Sequence, residues 1–212
     1  MSLTNYLPAP ILDLYEVHNF KHAAEVLHTS CPNELAELCD ALMAFRLSHT
    51  DLLSPGGNES RIPKRMASLL RPHRWFETRI RGDLVVTIQT HADDGMEKTE
   101  HRIEDFLDGH KIDFVKNRVA FDLEWNSKDQ TFDRDLYAFR AFHEAGVISA
   151  AVLVTRSENL NPVFKQLGIM SKYGASTTWM GKLLYRLKAG RHGGCPVLVL
   201  GITSKLIEED QA

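Results

Sequence analysis
Long apolar runs are missing from this 212-residue chain: no stretch approaches the ~18 residues that mark a membrane-spanning helix. The opening MSLTNYLPAPILDLYEVHNF lacks a basic leader and carries Asp13 and Glu16 inside its apolar part, which argues against a secretion signal. Cysteine is scarce. Cys31, Cys39 and Cys195 form an odd set without CxxC spacing, which supports neither a disulfide framework nor a zinc cage and reads as reduced thiols in a cytoplasmic protein. The P-loop, GxGxxG and GxSxG patterns are also missing, so nucleotide hydrolases, dinucleotide enzymes and serine hydrolases have no positive support. His18, His22 and His28 fall on one expected helix, but no third ligand follows, and the spacing reads as incidental.

Net charge is modest at −3, yet its distribution is uneven. Glu59 to Arg81 holds seven Lys/Arg and two Glu, and Arg156 to Lys205 holds eight Lys/Arg and one Glu. Between them, Asp93 to Asp135 holds thirteen Asp/Glu and seven Lys/Arg. Two basic segments flanking an acidic one suit an enzyme that grips phosphates with cations and a metal with carboxylates; solvated faces give the same pattern. With 43% hydrophobic residues the chain reads as one domain over 1–212, with a helical N-terminal part at 1–50 and a core at 54–203.

Apolar spacing predicts helices over 11–28 and 33–48, and a basic helix from Ile62 to Leu70 after a Ser54–Asn58 turn. Strands are predicted at Leu84–Ile88, Ile112–Val115, Val119–Trp125, Val147–Val154 and Val197–Ile202. Helices are predicted from Phe132 to His143, closed by Gly146, and over about 177–188, with Ser176 as N-cap. The sum is an α/β domain with a central mixed sheet flanked by helices.

The sharpest chemistry lies in Asp113 and Asp122-Leu123-Glu124. Asp122 and Glu124 stand two apart on a strand and share a face. Only Lys116-Asn117-Arg118 separates that strand from the one carrying Asp113, so a hairpin would bring Asp113 beside Asp122. Converging carboxylates repel unless a cation joins them, and hard oxygen ligands suit Mg²⁺. Asp113, Asp122 and the Leu123 carbonyl are the expected metal ligands, and Glu124 would orient or deprotonate an attacking water. A solvated edge-strand face is the plain alternative.

The segment IDFVKNRVAFDLEWNSKDQTFDRDLYAFRAFHEAG, followed by VISAAVLVTR and later by GASTTWMGKLLYRLKAGRHGGCPVLVLGIT, resembles the catalytic region of the BglII/BstYI group of type II restriction endonucleases, in the PD-(D/E)xK superfamily. SPGGNESRIPKRMASLL and the His73-Arg74-Trp75 neighbourhood extend the likeness, from about Ser54 to Thr203. The resemblance implies a restriction-endonuclease-like fold. It implies a Mg²⁺-dependent homodimer that cuts both strands of a short palindrome in double-stranded DNA, leaving 5′-phosphates. A cognate methyltransferase is expected in the same cell, not as a bound subunit, and a GATC-centred site is hinted at. Asp113 and Asp122 match the family's acidic positions. Glu124 stands where the close relatives carry Gln and the superfamily often Lys, and Glu77 is the candidate to complete the site. DNA contacts are expected from Asn58, Ser60, Arg61 and Lys64, from Asn126, Ser127 and Lys128, and from Lys172, Ser176, Thr177, Thr178 and Lys182. The 176–178 group is expected to meet phosphate at a helix N-terminus. The alternatives are a structure-specific or repair nuclease of the same superfamily and a non-catalytic DNA-binding module.

Overall fold
The computed structural model describes residues 2–54 and 60–208. The N-terminal part runs α1 (Ala9–Leu14), β1 (Tyr15–Phe20), α2 (Ala23–Ser30), α3 (Pro32–Ala44), the two-residue β2 (Leu47–Ser48), α4 (His49–Leu53) and α5 (Arg61–Leu70). There follow β3 (Phe76–Ala92), β4 (Gly95–Lys116), β5 (Val119–Glu124), α6 (Thr131–Glu144), β6 (Ala150–Arg156), α7 (Asn161–Gln166), α8 (Met180–Lys188), β7 (Val197–Ile202) and β8 (Ile207–Glu208). Six strands form one mixed sheet in the order β1-β7-β6-β5-β4-β3, with β5, β6 and β7 parallel and the other pairings antiparallel. β2 and β8 make a separate short pair. Among the described residues no helix is long and apolar enough to cross a membrane.

β5 is buried along its whole length, and its alternation sorts two cores. Val119, Phe121, Leu123 and Trp125 pack with α1, α2, α3, α5 and Trp75 on one face. Ala120 joins Phe132, Leu136, Phe139 and Phe142 of α6 and Leu183 and Leu187 of α8 on the other. Each fully buried Phe or Leu contributes ~1.5–3 kcal/mol by leaving water, so this two-sided sheet is the rigid platform of the molecule. Polar ties fix the first layer to the sheet. Glu37 of α3 accepts from Trp75 Nε1 at 2.9 Å and from Lys116 Nζ at 2.5 Å.

The expected helix over 11–28 is broken. Residues 15–20 form β1, paired antiparallel with Val197–Ile202, and Lys21 and His22 take positive φ to turn the chain into α2. Spacing near three and four suggested a helix there, but pairing with a strand some 180 residues away decides the conformation, as tertiary contacts override local pattern. His18 therefore lies on β1 and His22 and His28 at the two ends of α2, not on one helix. The β1–β7 crossing is close: a Cβ on Gly201 would stand 2.7 Å from Met180 Cε and 3.1 Å from Glu16 Cβ.

The short strands expected at 84–88 and 112–115 are pieces of a much longer hairpin. β3 and β4 pair up to a two-residue turn at Asp93-Asp94, and every residue from Val85 to Phe106 is exposed. Beyond Ile88 the sequence is mostly polar, so apolar alternation fades while backbone pairing continues. Near the base, Phe76 pairs with Val115 and Thr78 with Ile112. Glu77 thus faces two residues, Asp113 and Phe114, in a β-bulge. Such a bulge re-aims side chains: Phe114 and Ile112 enter opposite cores, and Asp113 is left between them at the open edge.

Candidate active site
The β4–β5 ladder ends at Phe114 and Phe121, one step before Asp113 and Asp122. The strands part there, and the gap opens into a cleft of about 750 Å³. Asp113, Leu123, Glu124 and Glu77 line it, with Thr131 and Arg134 from the start of α6, Ser60 and Pro63 from the start of α5, and Asp51 of α4. The turn expected at Lys116-Asn117-Arg118 is present, with Asn117 at positive φ, and it does bring Asp113 beside Asp122. The Asp113 N–H donates to Asp122 Oδ1 at 2.8 Å.

Crowded acids set the electrostatics. Burial, then the charges of Asp135 and Asp113, push the Asp122 carboxyl well above the usual carboxylate range. Asp113 faces the cleft, yet the protein around it and then Glu124 push its carboxyl up as well. Asp135, on α6 behind them, is raised to about 8 by burial and then by Glu124. Its Oδ2 is buried without a hydrogen-bond partner among the described residues. Arg134 is the cation set against this cluster, 3.1 Å from Asp135 Oδ1 and 3.6 Å from Glu124 Oε1. Thr131 Oγ1 donates to Glu124 Oε2 at 3.2 Å.

The donor chemistry fits a hard divalent cation. Asp113, Leu123 and Glu124 line the cleft with buried Asp122 directly behind Asp113, so the carboxylates gathered there are hard oxygen donors. Among the described residues no three His, Cys, Asp or Glu side chains stand close enough to form a ready metal cage. Like charges resist closer approach, and Asp122 turns an oxygen to a peptide N–H instead.

The loop after β5 is pinned from behind. Thr155 Oγ1 donates to the Glu124 carbonyl at 2.9 Å. Thr178 Oγ1 donates to the same carbonyl at 3.4 Å and accepts the Ser127 N–H at 3.1 Å. Asn126 sits at φ +57°, with its Oδ1 buried and without a hydrogen bond among the described residues. Asn126, Ser127 and Lys128 all line the cleft.

Other candidate residues separate by geometry. Ser60 and Lys172 line the cleft, while Arg61 and Lys64 are exposed on α5 beside it. Lys172 also donates to the Leu52 carbonyl at 2.7 Å and to the Ser54 carbonyl. Glu77 lines the cleft and pairs with Lys111 at 2.8 Å. Asn58 lies outside the described residues. The helix expected from residue 177 starts instead at Met180, and Ser176, Thr177 and Thr178 precede it in a turn and a β-bridge to Lys128. Their backbone is committed there: Thr178 N–H donates to the Ser127 carbonyl at 2.8 Å and Thr177 N–H to Gly174 at 3.1 Å. Thr178 is fully buried, which makes it a support for the loop rather than a contact with DNA. The helix end bordering the cleft is that of α5 at Ser60, whose side chain makes no cap hydrogen bond. Lys182 pairs with Asp129 at 3.4 Å.

Sequence reasoning missed Arg134, Asp135 and Thr131. The signal was faint: Asp133-Arg134-Asp135 reads as the solvated start of a helix, and only the packing of α6 against β5 turns Asp135 inward. The charge segregation is also corrected. Much of the C-terminal basic segment is tied internally, with Lys182 and Arg186 on Asp129, Arg191 on Asp133 and Lys205 on Asp13. Six acids of the central segment lie on the exposed hairpin, away from the cleft.

A family model described as restriction endonuclease BglII/BglIII matches residues 15–202, most of the chain. No curated protein matches it.

Proposed function
Because the chain belongs to the BglII/BglIII restriction endonuclease family, and so is a nuclease of double-stranded DNA, we propose that it is a type II enzyme whose active site is the cleft at the end of β5. It hydrolyses both strands of a short palindromic site with Mg²⁺ and leaves 5′-phosphates. It works as a homodimer in the cytoplasm, beside a methyltransferase that protects the host's own sites. One observation carries the reading: where β4 and β5 part, Asp113 lines a cleft rimmed by Lys128, Arg134 and Lys172, and its charge bears on the buried Asp122 carboxyl directly behind it.

Asp113, Asp122 and the Leu123 carbonyl hold the ion. Bound there, Mg²⁺ supplies a lowered pKa to water and positive charge at the leaving oxygen. Glu124, fixed by Thr131 and Arg134, orients the attacking water and takes its proton. Arg134 pairs with Glu124 at 3.6 Å and sits within reach of a phosphate in the cleft. Ser60, Asn126, Ser127, Lys128 and Lys172 meet the backbone of the bound duplex, with Arg61 and Lys64 alongside. The α5 N-terminus adds its dipole. Glu77 flanks Asp113 across the bulge and completes the acidic rim.

The test is digestion of a sequenced plasmid with Mg²⁺ and with EDTA, followed by end mapping. A discrete, Mg²⁺-dependent fragment ladder with 5′-phosphate ends is expected. Asp122→Ala should abolish cleavage and retain binding. Undiminished cutting by Asp122→Ala, or cuts scattered without a common sequence, would overturn the reading.

A further inference from the structure
We propose that Arg156 is a positioning residue for the bound duplex: from behind the cleft it holds residues 173–177 in place and lends its positive charge to a phosphate seated against them. The proposal rests on the reading of the cleft above and deepens it by naming the side chain that orders the wall carrying Lys128 and Lys172. Arg156 ends β6 and is 2% exposed. Its Nη2 donates to the Tyr173 carbonyl at 3.0 Å and to Thr177 Oγ1 at 2.8 Å. The guanidinium stands 5.6 Å from the Tyr173 ring and 5.8 Å from the Phe164 ring, and those two rings stack at 4.1 Å. Its Nε is buried without a hydrogen-bond partner among the described residues. No carboxylate forms an ion pair with it there, and Glu158, whose charge bears on it, is exposed. A neutral amide could donate to the same two oxygens. A cation buried without a counter-ion costs far more, so the charge itself calls for a task. Burial lowers the Arg156 pKa to about 10, which leaves the group charged at neutral pH.

The segment that Arg156 holds faces the cleft. Tyr173 lines it, meets Trp125 edge-on at 5.8 Å and donates its hydroxyl to the Leu52 carbonyl at 3.0 Å. Lys172 Nζ stands 5.1 Å from the Tyr173 ring. Thr177 forms a β-bridge with Lys128, and the Asp129 N–H donates to the Ser176 carbonyl at 3.0 Å, so the same segment steadies the loop after β5. One guanidinium thus fastens both ends of the stretch that joins Lys172 to the partner of Lys128. Asp51, whose charge bears on Tyr173, is matched at both oxygens by Arg65. Lys128, Lys172 and Arg156 therefore leave this wall with positive charge to spare, and buried charge is screened less by salt than exposed charge. A duplex supplies the matching anion in its phosphates, which position the protein without reporting sequence.

Two measurements test this: equilibrium binding of a plasmid fragment spanning a mapped cut, in the Asp122→Ala background, and steady-state cleavage with Asp122 intact. Arg156→Met should raise Kd and KM by about tenfold or more and leave kcat within about twofold, the pattern of lost uniform binding. Arg156→Lys keeps the charge and should return Kd to within about threefold of the wild type. Arg156→Gln keeps a donor without the charge and should bind as weakly as Arg156→Met. A wall that needs only the hydrogen bonds would be restored by Gln as well as by Lys, and that result would overturn the proposal. Unchanged Kd in Arg156→Met, or a loss confined to kcat, would overturn it too. The Lys and Gln variants decide the question even if Arg156→Met does not fold. If the plasmid stays uncut, the nuclease reading fails alone, and binding to a random-sequence duplex still judges Arg156. A wild type that binds no duplex overturns both.

Discussion

Asp135 gathers in one side chain the conflict built into this site. It is buried against Glu124, and its carboxyl is raised to about 8 by lost hydration and then by that neighbour. In an unfolded chain an Asp titrates near 4. Between those values the folded state holds the extra proton, so stability is greatest at the acid end and falls as pH rises toward 8. Asp122 and Asp113 shift the same way and steepen the fall. Thermal melts in EDTA should therefore show a lower Tm at pH 8 than at pH 5. Asp135→Asn keeps an acceptor for Arg134 and removes the charge, so it should raise the pH 8 Tm by several degrees and flatten the dependence. An unchanged slope would exclude Asp135 as its source. Arg134 works in the opposite direction, since its charge lowers the pKa of both Asp113 and Asp135. Arg134→Gln should move the carboxylates further up and shift the ascending limb of the pH–rate profile to higher pH. A profile lowered uniformly, with no displacement, would confine Arg134 to binding phosphate.

At the scale of elements, the site exists because β4 and β5 separate one residue too early for a regular ladder. β5 was legible in the sequence. Val119, Phe121, Leu123 and Trp125 alternate with Ala120, Asp122 and Glu124, and burial on both faces matches that alternation. The turn at Asn117 and the pairing of Asp113 with Asp122 were legible for the same local reasons. β1 was not, because Tyr15–Phe20 takes its conformation from β7 at the other end of the chain. The bulge at Asp113 and Phe114 was not either, because a β-bulge is a mismatch between two strands and neither strand carries it alone. Thr178 shows the same limit, since its role depends on reaching back across the molecule to the end of β5. Replacing it with Val keeps its shape and removes the bridge between the Ser127 N–H and the Glu124 carbonyl. A buried group left unsatisfied costs ~1–3 kcal/mol, so urea unfolding should show a loss in that range. Cleavage should fall as well, because the 126–128 loop loses its anchor. Full activity with full stability would show that Thr155 holds the loop unaided.

On the scale of the whole molecule, a net charge of −3 conceals two regions of different character. The arm is acidic and exposed on both faces, while the cleft draws Lys128 and Arg134 from the segment after β5 and Lys172 from the segment before α8. The two cores reach no further up the hairpin than its base, where Ile80 and Ile112 pack with α6, and His110 stacks edge-on against Tyr137 at 4.6 Å. The distal arm thus adds little to the stability of the single copy. Leu84 and Ile103 stand opposite each other in the ladder, so residues 85–102 can be replaced by an Asn-Gly turn without changing the register below them. The shortened chain should keep its far-ultraviolet spectrum apart from the lost strand signal, and at concentrations where the wild type is monomeric its Tm should match. A drop of more than a few degrees under those conditions would mean that the arm is part of the cooperative core, against the burial that ends at its base.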